Sequence, residues 1–461
     1  MARFTRVCCT RGPDKLTATA DGERWIAPST IWLCCILGAA IPQSPVQAQE
    51  EVSFDAAEFE KRAFDFRGYL ELKPEFARTN QDGALYQIAL SEEDEQASVE
   101  RLTGILELEG RYNKGISTLL FRTHSEGVWD NLGSEQDHSL YEALLSLQPT
   151  AGLAADAGKK AYRWGKGVAW NPVAFVERAK DAANPDLARE GYWTAGFDWI
   201  KSFDGPLQTI AVTPLVVPTN GGLNGDFGEE GHLNFAGKIY LLYRDTDFDF
   251  LFLTDGSRSA SYGFDFANNI SPNFEIHGEF AYITNFEHIE IDPYPSCRGR
   301  RQDPEDVVSY LGGLRYRTEQ DITYTLEYYE NGTGNSREQQ KRYYQCVHAA
   351  WETGDSAVLD RFPSGRGDDR GPFAKSNPMR QYLHFRAIWQ EPFNILYFTP
   401  GLQAFYNLDD ASYSIAPELN YDGLENFEFR LRATIAVGDE LSEWGEKLYE
   451  DRIELRVRYY F

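Results

Sequence analysis

Strict two-residue alternation of apolar and polar side chains is the feature that most constrains this chain. Residues 427–435 read Phe-Glu-Phe-Arg-Leu-Arg-Ala-Thr-Ile, and residues 453–461 read Ile-Glu-Leu-Arg-Val-Arg-Tyr-Tyr-Phe. Successive side chains of a β-strand point to opposite faces, so each segment predicts a strand with one apolar and one polar face. What such strands build depends on their number and on the connections between them.

Segments of this kind recur eighteen times after residue 62. They lie near residues 64–78, 98–113, 116–126, 138–148, 153–163, 190–203, 207–218, 232–244, 247–255, 259–268, 272–284, 307–318, 321–331, 380–391, 394–407, 411–421, 426–438 and 450–461. The pattern therefore predicts an all-β fold of about 18 strands.

The connections between these segments alternate in length. Tight turns are predicted at residues 113–115, 149–152, 203–206, 244–247, 318–321 and 391–394, and long polar connections at 79–97, 127–137, 164–189, 219–231, 285–306 and 332–379. Lipid tolerates no open sheet edge, and bacterial transmembrane barrels have an even strand number with short turns at one end. The sequence thus predicts a transmembrane antiparallel up-and-down β-barrel. A soluble sandwich also alternates, but its turns need not alternate in length.

Composition excludes two other classes of protein. The 461 residues carry 45 Lys plus Arg against 71 Asp plus Glu, a formal net charge of −26. Nucleic-acid binding by bulk charge needs a basic surplus, so no nucleic-acid partner is expected. Mean hydropathy is −0.48. Beyond the N-terminus no run of about 20 apolar residues occurs, which excludes a helical membrane protein.

The N-terminus predicts export. The apolar run 31–41 follows Arg24 and precedes small residues that end at Ala48. This pattern predicts a signal peptide with an N-terminal extension in residues 1–48, cleaved after Ala48, although a short buried strand or a membrane anchor remains an alternative. Residues 49–62 are then a periplasmic N-terminal segment and residues 63–461 the barrel. The expected location is the bacterial outer membrane.

Cysteine usage agrees with export. Of six cysteines, only Cys297 and Cys346 follow the predicted cleavage site. A pair in an exported chain predicts a disulfide, and both residues fall in long connections, the eleventh and the thirteenth, which share one end of the barrel. Two free thiols or a metal pair are the alternatives. Because no His or Cys stands at metal-site spacing beside either residue and no Cys-x-x-Cys-His occurs, no metal and no cofactor are expected.

Charged residues opposite the apolar face should line the lumen. The early and late strands are rich in inward arginines, whereas the sixth to eleventh strands contribute mainly acids, among them Asp249, Asp265 and Glu279. Basic linings favour anionic solutes. Alternatively, the arginines pair with lumenal glutamates and only brace the wall. The predicted pore-lining residues are Arg67, Arg101, Arg111, Arg122, Arg315, Arg317, Arg386, Arg430, Arg432, Arg456 and Arg458.

The most distinctive segment is 162–175, Tyr-Arg-Trp-Gly-Lys-Gly-Val-Ala-Trp-Asn-Pro-Val-Ala-Phe. It opens a connection long enough to fold into the barrel as a constriction. The alternative is an interfacial anchor, with the two tryptophans at the level of the lipid headgroups. The residues assigned to this constriction or interface loop are Trp164, Lys166, Trp170, Asn171, Pro172, Arg178 and Arg189.

A strand followed by Arg-Trp-Gly-Lys-Gly and Trp-Asn-Pro resembles outer-membrane proteins related to the alginate-export porin family. The resemblance implies an eighteen-stranded monomeric barrel with an arginine-rich lumen through which an anionic polysaccharide leaves the cell. The aromatic C-terminus at Phe461 similarly resembles the terminal strand of bacterial outer-membrane barrels. In those proteins the last Phe assists recognition by the barrel assembly machinery.

These features together predict a channel for an anionic or sugar-like solute, with polysaccharide export as one form of it. Its partners are then outer-membrane lipid, the assembly machinery and the anionic or carbohydrate solute. One alternative is a structural barrel that sheathes a periplasmic partner. Another is a barrel enzyme, but the seven histidines are scattered and no Gly-x-Ser-x-Gly motif occurs, so no enzyme is predicted.

Overall fold

The computed structural model describes residues 63–89, 96–131, 133–185, 190–363 and 371–461. The predicted signal peptide, the segment 49–62 and Arg189 lie outside these residues. Within the described residues, none of the helices combines the length and the apolar character that crossing a membrane requires.

Eighteen strands of the described residues form one closed antiparallel sheet, which confirms the predicted barrel. Each strand pairs with its neighbour along the chain, and β20 pairs with β1; β12 and β13 form a separate small hairpin. The strands are β1 (Phe64–Thr79), β2 (Ser98–Lys114), β3 (Ser117–Asp130), β4 (Gly133–Thr150), β5 (Leu153–Lys160), β6 (Tyr192–Ser202), β7 (Leu207–Thr219), β8 (His232–Tyr243), β9 (Thr246–Leu253), β10 (Ser261–Ser271), β11 (Phe274–Phe286), β12 (Ile289–Ile291), β13 (Gly299–Arg301), β14 (Glu305–Arg317), β15 (Ile322–Glu330), β16 (Gln381–Trp389), β17 (Phe398–Asn407), β18 (Tyr413–Leu424), β19 (Phe427–Val437) and β20 (Tyr449–Tyr460).

The last residue of the chain takes part in closing the barrel. Glu71 of β1 lies opposite Arg458 of β20, and Phe76 lies opposite Ile453. The Gly68 N–H donates to the Phe461 carbonyl at 3.1 Å, and the Phe461 N–H donates to the Gly68 carbonyl at 3.0 Å. The β1–β20 seam is therefore hydrogen-bonded up to the C-terminus.

Turn lengths separate the two ends of the barrel. The end that holds both termini has the turns 115–116, 151–152, 203–206, 244–245, 272–273, 318–321, 390–397 and 425–426. The opposite end has the connections 80–97, 131–132, 161–191, 220–231, 254–260, 287–304, 331–380, 408–412 and 438–448. The predicted placement of short turns and long loops is thus confirmed, with one exception.

The long loop predicted at 127–137 is wrong. Strands β3 and β4 continue through it, and Asp130 pairs with Gly133 across a two-residue connection. The outward side chains near the tip of this hairpin are mostly polar, so the apolar half of the alternation disappears there. In the described residues β4 pairs with β5 only from Ala143 to Thr150, so its first part, residues 133–142, has a strand neighbour on one side only.

The barrel is apolar outside and polar inside. On β1 the outward Phe66, Leu70 and Leu72 are 47%, 47% and 48% exposed, whereas the inward Glu71 and Glu75 are buried. The outward apolar row of β1 runs from Phe64 to Phe76. Those twelve residue steps, at about 3.3 Å each on a strand tilted by about 40°, span roughly 30 Å. This is the thickness of the hydrocarbon core of a bilayer.

Long connections at one end pack into a cap that contains α1 (Ala84–Ala89), α2 (Arg337–Thr353) and α3 (Ser356–Leu359). Leu85, Tyr343, Val347 and Phe373 are among the buried residues of its apolar core. Helix α2 begins at a Ser336 capping box and ends at Gly354 in the left-handed conformation. Local turn chemistry thus sets both ends of α2, while the apolar core holds it in the cap.

A disulfide between Cys297 and Cys346, with Cα atoms 5.8 Å apart, joins the loop 287–304 to α2. The predicted bridge is therefore confirmed. It connects two of the connections that build the cap, so it constrains the cap and not the strand pairing.

His348 connects three parts of the cap. Its Nδ1 lies 2.9 Å from the Gln87 Oε1 of α1, and its Nε2 lies 3.0 Å from Glu446 of the loop 438–448. Glu446 is buried and also accepts the Ala84 and Leu441 N–H groups, both at 2.6 Å. Burial alone would lower the pKa of His348, but the hydrogen bond and charge of Glu446 outweigh it and raise that pKa above its ordinary value.

Removing the disulfide should loosen the cap and leave the barrel intact. The bridge closes a separation of 49 residues, for which the chain-entropy model gives about 4 kcal/mol. Cys297→Ser with Cys346→Ser is expected to raise amide hydrogen exchange in α2, with no change in the barrel strands, which serve as the internal control. Unchanged exchange in α2 would contradict the role given to the bridge.

The cap should also weaken as pH rises. Since the folded-state pKa of His348 is raised, its stabilisation is present below the unfolded value of about 6.5 and is lost as pH rises through the folded value. Exchange of α2 amides, corrected for its intrinsic pH dependence, should therefore be faster near pH 9 than near pH 6. The variant His348→Gln should lack this difference; an equal difference in both proteins would contradict the assignment.

Candidate functional site

The connection 161–191 leaves the wall because β5 ends early and β6 begins late. Strand β4 has 18 residues and β5 only 8. After Lys160, which pairs with Tyr192, the Ala161 N–H donates to the Glu142 carboxylate at 3.1 Å. The residues that follow contact inward side chains of β11, β15, β17 and β19, so they lie inside the barrel. We call residues 161–185 the crossing segment.

The first of two wall carboxylates that bind residues 166–173 of the crossing segment is Glu279 of β11. Its Oε1 accepts the Lys166 and Gly167 N–H groups at 2.5 and 2.6 Å, and its Oε2 accepts the Val173 N–H at 3.4 Å. Gly165 has φ +90°, and a Cβ there would lie 2.7 Å from Glu279 Oε1. Glycine is therefore required where the segment passes this carboxylate.

The second wall contact is Glu327 of β15, whose side chain is fully buried. It accepts the Val168 and Ala169 N–H groups at 2.5 and 2.9 Å. Two imidazoles face it as well, His277 Nε2 at 3.0 Å and His384 Nδ1 at 3.1 Å. One carboxylate thus meets four polar hydrogen-bonding groups, two of which belong to the crossing segment.

Trp170 provides an apolar contact between the segment and the wall. Its ring stacks on Tyr329 of β15 at 5.1 Å and lies edge-on to Phe405 of β17 at 5.6 Å. Its indole N–H donates to Asn377 at 3.3 Å, which connects the segment to the loop 331–380. Trp164 is also buried, and its carbonyl accepts the Asn171 side-chain amide. Both tryptophans therefore face the interior, not the outer surface.

The far end of the segment reaches β17 and β19. The Gln403 side-chain amide donates to the Ala182 carbonyl at 3.0 Å. Arg432 donates to the Ala183 carbonyl and to the Asn184 side chain, each at 2.9 Å. The segment therefore follows the inner face of the barrel from β11 to β19, with Pro172 at the turn that follows its contacts with Glu327.

The segment covers acidic side chains of the wall. Lys166 pairs with Asp249 at 3.0 Å and lies 3.8 Å from Asp265. Asp249, Asp265, Glu279 and Glu327 are each at most 3% exposed. On its other side Arg178 pairs with Glu190 and Asp226. These four acids of β9, β10, β11 and β15 are thus removed from the open part of the lumen.

Ten of the eleven predicted pore-lining arginines are ion-paired, as the wall-bracing alternative expects. The exception is Arg111, which is exposed and makes no ion pair with any described residue. The pairs are Arg67 with Glu109, Arg101 with Glu75 and Asp130, Arg122 with Glu109 and Glu142, Arg315 with Glu275, Arg317 with Asp321, Arg386 and Arg432 with Glu418, Arg430 with Glu454, and Arg456 and Arg458 with Glu71 and Glu428.

Arg111 lines a cavity of about 290 Å³ between the inner face of β1–β5 and the first residues of the crossing segment. The charged groups around it are Arg67, Glu109, Arg111, Arg122, Glu142, Lys160 and Arg163. Both glutamates are paired, and Lys160 pairs with Asp156. Arg163, like Arg111, is exposed and forms no ion pair within the described part of the chain. The uncompensated charge of this cavity is therefore that of two guanidinium groups.

Arg163 and the two anchoring carboxylates were not among the predicted site residues. Arg163 belongs to the distinctive segment 162–175, so the sequence alone could have indicated it as a site residue. Glu279 and Glu327 are inward by strand parity, but their contacts with residues 166–173 join positions more than 100 residues apart. No local pattern indicates such a contact.

Comparison with known proteins finds no matching family model and no matching curated protein. Similar solved structures include Pseudomonas aeruginosa OccK5 (OpdH), which is 12% identical over 86% of this chain and 98% of that chain, with a TM-score of 0.49. Pseudomonas aeruginosa OccK2 (OpdF) in complex with glucuronate is 10% identical over 86% and 98%, with a TM-score of 0.48. A mutant of the Rh. blastica porin is 8% identical over 86% and 100%, with a TM-score of 0.41.

Adding a methyl group at Gly167 should displace the crossing segment. A Cβ there would lie 2.1 Å from the Trp170 carbonyl oxygen, so Gly167→Ala cannot keep the observed backbone. Faster amide exchange is expected in residues 165–173, with the strands unchanged. Gly312→Ala, where a Cβ meets nothing within 4 Å, is the matched control. Equal exchange in both variants would contradict this path for the segment.

Proposed function

We propose that this protein is an outer-membrane channel that passes small anionic solutes. One observation carries the proposal: the crossing segment buries the acids of one wall, while Arg111 and Arg163 stay exposed and without an ion pair among the described residues. Unpaired basic groups at a channel wall favour anions. The net charge of −26 does not oppose this proposal, because the local lining and not the total charge sets the selectivity of a pore.

The outer surface of the barrel supports the membrane location. Its apolar side chains face outward on every side, as in Phe250 and Phe280, which are 46% and 44% exposed, and Leu431, which is 43% exposed. Such a surface is unfavourable in water and favourable in lipid. Phe461 ends the closing strand and is the residue we propose for recognition by the assembly machinery. The predicted leader before residue 49 agrees with export.

Solute size follows from what occupies the lumen. The crossing segment lies across the interior, and the cap packs at the long-loop end. A rigid polymer would have to pass both the crossing segment and the cap. A small anion needs only the open space beside Arg111. We therefore favour a small anionic or sugar-like acid over export of a polysaccharide.

Planar bilayer recordings under a salt gradient test the proposal. The wild-type protein should form channels with anion preference. A guanidinium about 10 Å from a permeating ion stabilises an anion and destabilises a cation by roughly 0.5 kcal/mol each at a dielectric constant close to that of water, so each loss should lower the anion-to-cation permeability ratio about fivefold. Arg111→Gln with Arg163→Gln removes both groups, so the ratio should fall about 25-fold.

The matched control removes two arginines outside the lumen. Arg300 and Arg301 lie in the β12–β13 hairpin with side chains 67% and 76% exposed, so Arg300→Gln with Arg301→Gln should keep wild-type selectivity. Liposome swelling should be faster with glucuronate than with uncharged glucose. Cation preference of the wild type, or absence of channels, would refute the proposed function.

A further inference from the structure

We propose that Glu279 and Glu327 are positioning residues that hold the crossing segment across the lumen and thereby set the width and the selectivity of the channel. This inference rests on the proposed channel function and adds the residues that control the width and the selectivity of the channel. The juxtaposition that carries it is five backbone N–H groups, within residues 166–173, aimed at two buried wall carboxylates.

The segment depends on these carboxylates because it has no regular structure of its own. Residues 161–185 contain neither a helix nor a strand, so their backbone groups find no partners in a ladder or a helical turn. Buried backbone N–H groups need a hydrogen-bond partner. Glu279 and Glu327 supply it from strands β11 and β15, and bonds from an N–H to a carboxylate are stronger than bonds between neutral groups.

The surroundings of Glu327 make a neutral amide a poor substitute. Two backbone N–H groups and two imidazoles face its two oxygens. A glutamine has one acceptor oxygen, and its NH₂ group would face donors. His277 also lies 3.5 Å from Glu275, and the Gln403 amide lies 3.1 Å from His384, so the groups around the site are already engaged.

Loss of the hydrogen bonds to Glu279 and Glu327 would displace part of the crossing segment and not all of it. The Trp170 ring would stay packed on Tyr329 and Phe405, and Gln403 would still hold Ala182. Residues 165–169, which lie between the end of β5 and Trp170, would lose their wall partners. Lys166, which now pairs with Asp249, lies in this part. Its displacement would expose the acidic wall to the lumen, so a wider channel should also be a less anion-selective one.

The test compares Glu279→Gln, Glu327→Gln and the double variant with the wild type in planar bilayers. The occupancy of a high-conductance state should rise about tenfold for each charge-assisted hydrogen bond lost. Anion preference should fall at the same time, and larger neutral polyethylene glycols should enter the pore. Loss of barrel stability alone would not produce these three changes together, and heat-dependent gel migration checks that the barrel is intact.

Glu75→Gln is the matched control. Glu75 is a buried wall carboxylate of β1 that pairs with Arg101 and Arg452. It is not among the residues bonded to the crossing segment, so its variant should keep the wild-type occupancy. Gly167→Ala perturbs the segment from its own side with both carboxylates in place, and it should reproduce the wide state even where a glutamine variant fails to fold.

The outcomes separate this inference from the proposed function. Wild-type conductance, selectivity and polymer cut-off in the double variant and in Gly167→Ala would overturn the inference and leave the channel function standing. If the wild type forms no channel, the channel function fails and the control of width fails with it. Amide exchange of residues 165–173 then decides the positioning role alone: faster exchange in the double variant supports it, and unchanged exchange refutes it.

Discussion

The closed ring of backbone hydrogen bonds, completed where β20 pairs with β1, is the constraint from which the other features follow. Closure leaves no free edge where each strand is paired on both sides, and it forces every strand to present one face outward and one inward. Because the outward face is apolar, the inward face must carry the charges of the strands. The connections are confined to the two ends, except where a strand is too short to keep its connection at the rim.

That exception shapes the interior. The early end of β5 lets residues 161–185 enter the lumen, and the segment then covers the acids of one wall while the other wall keeps its arginines. Most of those arginines are neutralised by neighbouring glutamates, as Arg430 is by Glu454. The charge of the open lumen therefore depends on which part of the wall the crossing segment covers. A count of inward charges would miss this asymmetry.

Sequence alone predicts the wall well and the interior poorly, for a physical reason. Alternation is local, so it identified all eighteen strands, and it failed at residues 127–137 only because polar side chains there face outward. The disulfide followed from the two cysteines left after the predicted cleavage site, and the shared end of two long loops supported it. Helix α2 lay hidden in a loop, because its stability comes from the cap core. Parity placed Arg111 and Arg430 alike; only three-dimensional pairing distinguishes Arg111, which has no ion pair among the described residues, from Arg430, which pairs with Glu454.

The unequal heights of β4 and β5 also bear on how the protein stays dispersed. Among the described residues, β4 continues for ten residues before Ala143 with a strand neighbour on one side only, and an edge of this kind can template an intruding strand from another molecule. Glu135 and Asp137 stand on this stretch in exposed positions. Charged side chains on an unpaired strand are a recognised deterrent to edge-to-edge aggregation. These two charged residues thus protect this stretch from fibril-like association.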